Sequence, residues 1–306
     1  MDEEQYEFYK QKLDALLAEA KEIGLPFESA CVFVQDAGQI YVVHLQPVKY
    51  RNIYSHTKSF TSIMVGIAID EGKLCLEDHL VDFIGDEMTP EQRENFKDVR
   101  LIDLMTMRSG MGGSILMEPD RRKGLCYKDY LAYVLSHPVL HQPGTEFAYS
   151  NGDTFLASIM VSRAYGKPFY ELCYERIFKP MHCICPTWES DLKGNCVAAT
   201  ALFLGIEDMN KLGIMLLQNG LYGGSRIVSK AYVDLLRNTR VPAKGWGDYS
   251  LQIWHNPKGD VLRADGLHGQ FTFIDFDRRI ALSFQRGEDE RADEARALIE
   301  KYFFAE

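Results

Sequence analysis

The 306-residue chain contains no apolar run long enough to cross a bilayer. Its opening residues, Met1-Asp2-Glu3-Glu4, are acidic and no hydrophobic stretch follows them. No secretion signal is read there, and a cytoplasmic location without membrane attachment is expected. Positive charge is also in short supply. The 34 Lys and Arg against 44 Asp and Glu leave a formal net charge of −10. That argues against non-specific nucleic-acid binding and against attraction to an anionic membrane. A disulfide framework is missing, because the seven cysteines are odd in number and scattered. Reduced thiols are the expectation in a chain without a secretion signal. His182-Cys183-Ile184-Cys185 lacks the second pair that zinc-like spacing requires, so no metal and no cofactor is expected. There is no internal repeat and no low-complexity segment. What is present is an ordinary globular composition, 46% hydrophobic and 25% charged, in a chain long enough for one large domain or two lobes.

One stretch organises the rest. Ile53-Tyr54-Ser55-His56-Thr57-Lys58 leads into the apolar run Ile63-Met64-Val65-Gly66-Ile67-Ala68-Ile69, which stops near Gly72. That is a helix start, a helix apolar on nearly every side, and a glycine stop. A helix apolar all round is buried, so Ser55 sits at the mouth of a helix through the middle of the protein. Its free N–H groups and dipole favour negative charge there. Lys58 lies one turn on, on the same face. A hydroxyl is a weak nucleophile at neutral pH, and a desolvated lysine with a lowered pKa can take its proton. The plainer reading of the same residues is a serine N-cap with a surface lysine.

Along the chain, residues 4–22 have helical periodicity and stop at Gly24-Leu25-Pro26. Ser29–Val34 and 39–45 read as strands joined by an Asp36-Ala37-Gly38 turn. The middle is mostly helical, with Thr89-Pro90 as a helix start and helices over 99–107, 127–136, 153–165, 207–219 and 229–236. Glycine-rich and turn-rich loops cover 108–113 and 142–152. Strand composition returns at 249–254, 260–263, 271–276 and 280–284, and Ala292–Phe303 closes as a helix. The pattern predicts an α+β fold: one antiparallel sheet from sequence-distant strands, flanked by terminal helices, with an all-helical lobe beside it. On this reading residues 1–306 form a single domain. Residues 1–58 and 200–306 make its α/β lobe and 59–199 its helical lobe, with the site in the cleft between them.

Four stretches then resemble the serine β-lactamase and penicillin-binding-protein superfamily, in its class C-like branch. Ser55-His56-Thr57-Lys58 is similar to the nucleophile motif. Leu104-Met105-Thr106-Met107-Arg108-Ser109-Gly110 resembles the segment that follows it, and Pro143-Gly144 through Tyr149-Ser150-Asn151 the Tyr-x-Asn motif. Ala264-Asp265-Gly266-Leu267-His268-Gly269-Gln270 resembles the stretch near the third motif. The resemblance implies a β-lactamase/transpeptidase-like fold. It implies Ser55 as the acylated nucleophile, Lys58 as proton acceptor and Tyr149 as the acid or base that shuttles the proton to the leaving group. A phenolate at neutral pH would need a nearby ammonium, and Lys58 is the candidate. The structural alternative for Tyr149 is an aromatic plug in a loop. Asn151 would position the substrate amide or carbonyl. One N–H near 268–271 would join that of Ser55 in an oxyanion hole.

The third motif departs from the family. Neither Lys-Thr-Gly nor His-Thr-Gly is present. His268, Gly269 and Gln270 are the substrate-binding candidates in that region, with His268 as a partial substitute for the missing cation or an ordinary sheet residue. His56 follows the nucleophile and points away from it on this reading. Arg108 is either a cation near the cleft or a solvated arginine. Trp246 and Trp254 either line an acyl pocket or pack as core and rim. The acidic Glu288-Asp289-Glu290 reads as the exposed start of the last helix. The resulting expectation is a serine hydrolase, of carboxylesterase or amidase type, forming an acyl-enzyme from a small ester or amide. The competing readings are a penicillin-binding protein or β-lactamase/DD-peptidase proper, acting on β-lactams or peptides, and a ligand sensor without turnover. The sequence specifies no oligomeric state.

Overall fold

The computed structural model describes residues 2–122 and 128–304. Eight strands form one antiparallel sheet: β1 (Ser29–Val34), β2 (Gln39–His44), β3 (Val241–Ala243), β4 (Gly247–Tyr249), β5 (Trp254–His255), β6 (Val261–Gly266), β7 (Gln270–Asp275) and β8 (Ile280–Gln285). Their order is β2-β1-β8-β7-β6-β5-β4-β3. The N-terminal hairpin therefore joins the sheet on the far side of the C-terminal strands, and Ser29 pairs with Gln285.

The alternation of a strand sorts the core into two layers. Ala30, Val32 and Val34 of β1, Phe271 and Phe273 of β7, and Leu282 and Phe284 of β8 point to one face. Helices α1 (Asp2–Glu22) and α5 (Ala292–Phe303) cover them with Leu13, Leu16, Ile299 and Phe303. The opposite face carries smaller residues, among them Thr272, Ala281 and Ser283. There α4 (Ile206–Leu217) packs so closely that a Cβ on Gly213 would fall 2.7 Å from that of Ala281. Beyond α4 lies the helical part, centred on α2 (Thr57–Asp70) and α3 (Asn151–Tyr165).

Helix α2 is buried along its length from Thr57 to Ala68, as a helix with no polar stripe must be. Its Gly66 is there for space. A Cβ at that position would sit 2.4 Å from the Tyr232 ring, whose hydroxyl pairs with Ser62 at 3.0 Å. Gly66→Ala is therefore expected to destabilise the fold by about 1–2 kcal/mol, measured by urea unfolding. Overpacking outweighs the usual helical gain of alanine over glycine.

The terminal helices, the helical middle and the late strands appear where the sequence predicts them. Four places differ. The expected strand over 249–254 is interrupted: β4 ends at Tyr249, the chain bends through 250–253, and β5 begins at Trp254. Gln252 takes φ 67° and turns inward, donating from Nε2 to the carbonyls of Leu104 and Met105 and accepting at 2.6 Å from Thr154. Those polar bonds replace the sheet ladder. Helix α3 starts two residues earlier than expected, because Ser150 caps it by accepting from Gly152 N–H at 3.0 Å. The helix expected over 127–136 runs Tyr130–Leu135, and Cys126 and Tyr127 lie outside the described residues. A three-stranded sheet of Arg51–Asn52, Leu202–Leu204 and Thr187–Trp188 had no clear signal. No helix among the described residues is long and apolar enough to cross a membrane.

Candidate active site

Ser55 lies on a 3-10 turn, Tyr54–His56, that leads directly into α2. Tyr54 enters the turn with φ 49° and donates its N–H to Asn52 Oδ1 at 2.8 Å. His56 points away from Ser55 and anchors the turn. Its Nε2 lies 2.7 Å from Thr272 Oγ1 on β7, which lies 2.8 Å from Ser283 Oγ on β8. Complete burial lowers the His56 pKa to about 3, so the ring is neutral and acts as a peg.

Lys58 follows one turn later and is fully buried, with Nζ 3.1 Å from Ser55 Oγ. It donates to Asn151 Oδ1 at 2.6 Å and to the carbonyl of Ala199 at 3.0 Å. Among the described residues no carboxylate is within ion-pair reach of it. Burial, with the nearby Arg121 charge adding to it, therefore holds its pKa well below the ordinary lysine range. The Arg121 guanidinium and Asn151 Nδ2 both donate to the carbonyl of Leu116, at 3.0 and 3.2 Å. That shared acceptor fixes the amide of Asn151 with its oxygen toward Lys58.

Tyr149 precedes the Ser150 cap of α3, so the same helix terminus presents both Tyr149 and Asn151. Its hydroxyl hydrogen-bonds the Ser55 side chain. Its ring stacks on Trp254 with centroids 5.9 Å apart, and the Lys58 Nζ lies 4.7 Å from the ring centroid. Burial raises the phenol pKa above its ordinary value, the Ser55 bond opposes the rise, and Asp265 adds to it. The sequence-based idea of a phenolate held by a Lys58 ammonium is thus not what the electrostatics favour. Both groups are pushed toward their neutral forms.

The third-motif region forms the hairpin between β6 and β7. The His268 and Gln270 side chains are engaged in structure. His268 Nδ1 lies 2.9 Å from the Asp289 carbonyl and its ring meets Tyr54 edge-on. Gly269 has φ 90°, and a Cβ there would crowd Arg286 at 2.8 Å. Gln270 is buried and donates to the Arg286 carbonyl at 2.7 Å. The acidic run before α5 is not merely a helix start. Glu288 accepts from the Tyr54 hydroxyl at 3.2 Å and Asp289 from Arg291 N–H at 2.6 Å. Arg108 ties two loops together through Thr106 and the Gly144 carbonyl, at 3.0 and 3.1 Å. The backbone of this hairpin is what approaches the site: a Cβ on Gly266 would fall 2.2 Å from the Ile53 carbonyl.

A cavity of about 450 Å³ opens beside Tyr149. Phe147, Trp254 and Phe271 line it on one side, and the ion pair of Arg263 with Asp265 closes it, Nε lying 2.7 and 2.8 Å from the two carboxylate oxygens. Trp246 and Trp254 both face this cavity, and Trp254 is also buried against Tyr249. Sequence reasoning did not find the Ala199 carbonyl, Arg121 or the Arg263–Asp265 pair. A backbone acceptor carries no residue signature, Arg121 and Arg263 sit outside the motifs, and nothing in the stretch around Asp265 marks Arg263 as its partner. No group of three or more His, Cys, Asp or Glu among the described residues is arranged to hold a metal ion.

This architecture, an antiparallel sheet with terminal helices on one face and a helical region on the other, is the β-lactamase/transpeptidase-like fold. Residues 44–301 match the beta-lactamase family model, and the chain belongs to that family. Solved structures agree on the fold. A penicillin-binding protein from Bacillus halodurans superposes with TM-score 0.75 at 17% identity, covering 95% of this chain and 100% of that one. A D-stereospecific amidohydrolase from a Streptomyces species gives 0.71 at 17%, covering 95% and 98%. EstCE1, a hydrolase with promiscuous acyltransferase activity, gives 0.75 at 13%, covering 98% and 99%.

Proposed function

We propose that the protein is a serine hydrolase that forms an acyl-enzyme from a small ester or amide. The observation that carries this reading is the environment of Lys58. A neutral amine has two N–H donors and one lone pair. Asn151 Oδ1 and the Ala199 carbonyl can only accept, so they take both donors. The lone pair is then left for the proton of Ser55, 3.1 Å away. Ser55 Oγ attacks the substrate carbonyl carbon as its proton passes to Lys58, and the Ser55 N–H with the β6–β7 backbone would stabilise the oxyanion. The Tyr149 phenol, hydrogen-bonded to Ser55, relays a proton to the departing alcohol or amine. Water then cleaves the ester on Ser55, returning the acid and the free serine. The aromatic lining of the cavity beside Tyr149 suits an acyl group, and neither Lys-Thr-Gly nor His-Thr-Gly is present as a third motif. Both favour a simple ester or amide over a penicillin.

Intact-mass measurement during incubation with a p-nitrophenyl ester, and separately with a penicillin, tests the reading. Turnover of the ester through a transient adduct is the expected outcome. A stable penicillin adduct without turnover would replace it with a penicillin-binding role, and no adduct with either compound would remove it. Gly266→Ala offers a second check, because it pushes β6 against the Ile53 carbonyl just ahead of the nucleophile. Loss of ester hydrolysis by about 10²-fold is expected for a displacement near 1 Å, with most of the melting temperature retained.

A further inference from the structure

The cavity beside Tyr149 has a charge pattern that the hydrolase reading does not use. Four charged groups along it are matched. Arg263 is held by Asp265 and donates to Asn256 Oδ1 at 3.1 Å. Arg296 of α5 lies 2.7 Å from Asp293. One is not. Lys244, also in the lining, makes no hydrogen bond or ion pair among the described residues. Asp248, the acid nearest to it in sequence, pairs instead with Arg240 at 3.6 Å. Lys244 stands on the tip of the β3–β4 hairpin, where Ala243 pairs with Gly247 and only Lys244, Gly245 and Trp246 lie between them. The next residue but one, Trp246, exposes 67% of its surface at the cavity mouth. A large aromatic ring and an unmatched ammonium thus share the rim of a cavity whose walls are aromatic.

We propose that the hairpin tip selects the acyl group, and that the preferred substrate carries a flat apolar acyl chain ending in an anionic group, received by Trp246 and Lys244. The inference rests on Ser55 acting as nucleophile. It assigns the part of the substrate that lies at the rim of the cavity. The walls supply contact for a ring, since the Phe147 and Tyr149 rings each pack on Trp254, with centroids 6.1 and 5.9 Å away. The paired Arg263–Asp265 and Arg296–Asp293 add no net charge, so Lys244 sets the sign of what fits at the rim. It does so in a protein of net charge −10, which would otherwise repel an acidic substrate.

The test compares 4-nitrophenyl phenylacetate with its counterpart carrying a carboxylate at the ring position opposite the acetyl arm. In the wild-type protein kcat/KM is expected to favour the carboxylate ester by about three- to fivefold, the upper range of a solvent-exposed ion pair. Lys244→Glu is expected to reverse the ratio, and Lys244→Gln to bring it near unity. Raising the salt concentration should compress the wild-type ratio. Equal or poorer use of the carboxylate ester by the wild type, or the same ratio in Lys244→Glu, would overturn the proposal while leaving the hydrolase reading intact. Failure of both esters to acylate Ser55, read by intact mass, would instead remove the hydrolase reading and this inference with it.

Discussion

Ser55→Ala is expected to lower kcat/KM toward a p-nitrophenyl ester by about four orders of magnitude or more, as loss of the nucleophile does in other serine hydrolases. The reason is specific to the turn. Ser55 Oγ is the atom on which the Lys58 amine and the Tyr149 hydroxyl converge. Without it the remaining groups can bind and polarise a substrate but have nothing to acylate. The substitution removes one half-buried oxygen from a turn whose position is set by His56, Asn52 and the Ile53 backbone. Folding should therefore be nearly unaffected, and an unchanged melting temperature with no adduct by intact mass is the expected pair of results. Residual turnover within about tenfold of wild type would place the nucleophile elsewhere.

The second large effect concerns Lys58. Lys58→Met keeps an unbranched side chain one atom shorter and removes the base, and a loss of about 10³-fold in kcat/KM is expected, within the span of general-base contributions. The pH dependence of the wild type carries more information than the substitution. The groups that face the Lys58 amine are Ser55, Asn151, the Ala199 carbonyl, the Tyr149 ring and, farther off, Arg121. None is an anion, so the amine loses its proton well below the ordinary lysine value. Activity should rise with pH as Lys58 deprotonates and level off well before pH 10. A lysine with the ordinary pKa near 10.4 would keep the profile climbing about tenfold per unit to that point. Burial moves the Tyr149 phenol the opposite way, so no alkaline fall is expected from it below about pH 10. Linkage has the same sign. Between the lowered pKa and about 10.4 the unfolded chain holds a proton that the folded chain does not, so this group makes stability increase as pH rises.

The parts of the site that rest on short-range pattern were legible from the residues. The Ser55–Lys58 spacing and the apolar α2 are each contained in one stretch and lie as that stretch predicts, and Tyr149 and Asn151 keep their motif spacing although α3 begins two residues before the sequence placed it. What was not legible depends on contacts between distant stretches. Ala199 accepts from Lys58 through a carbonyl that every residue possesses. Gln252 breaks a strand whose composition is otherwise suitable, because its amide reaches Leu104, Met105 and Thr154 from across the chain. His268, Gly269 and Gln270 were picked out by their likeness to a motif, but the His268 and Gln270 side chains bond Asp289 and Arg286, and Gly269 is packed against Arg286. Those partners lie beyond β8, outside any local window. A motif supplies residue types at a spacing; which of them are free to meet a substrate is decided by neighbours the motif does not contain.

The pairing of β1 with β8 has a consequence for how the protein is made. Ser29 and Gln285 are partners across 256 residues. A chain leaving the ribosome from its N-terminus completes α2 and its serine long before β8 emerges. Through that interval β1, Ser-Ala-Cys-Val-Phe-Val, has β2 on one edge and nothing on the other. An apolar strand with an open edge is a template for pairing with another chain. Prematurely terminated chains that lack the last strands should therefore be recovered mainly as aggregates. The burden on cellular chaperones should fall on translation of the last strands, after the proposed catalytic residues have already been synthesised.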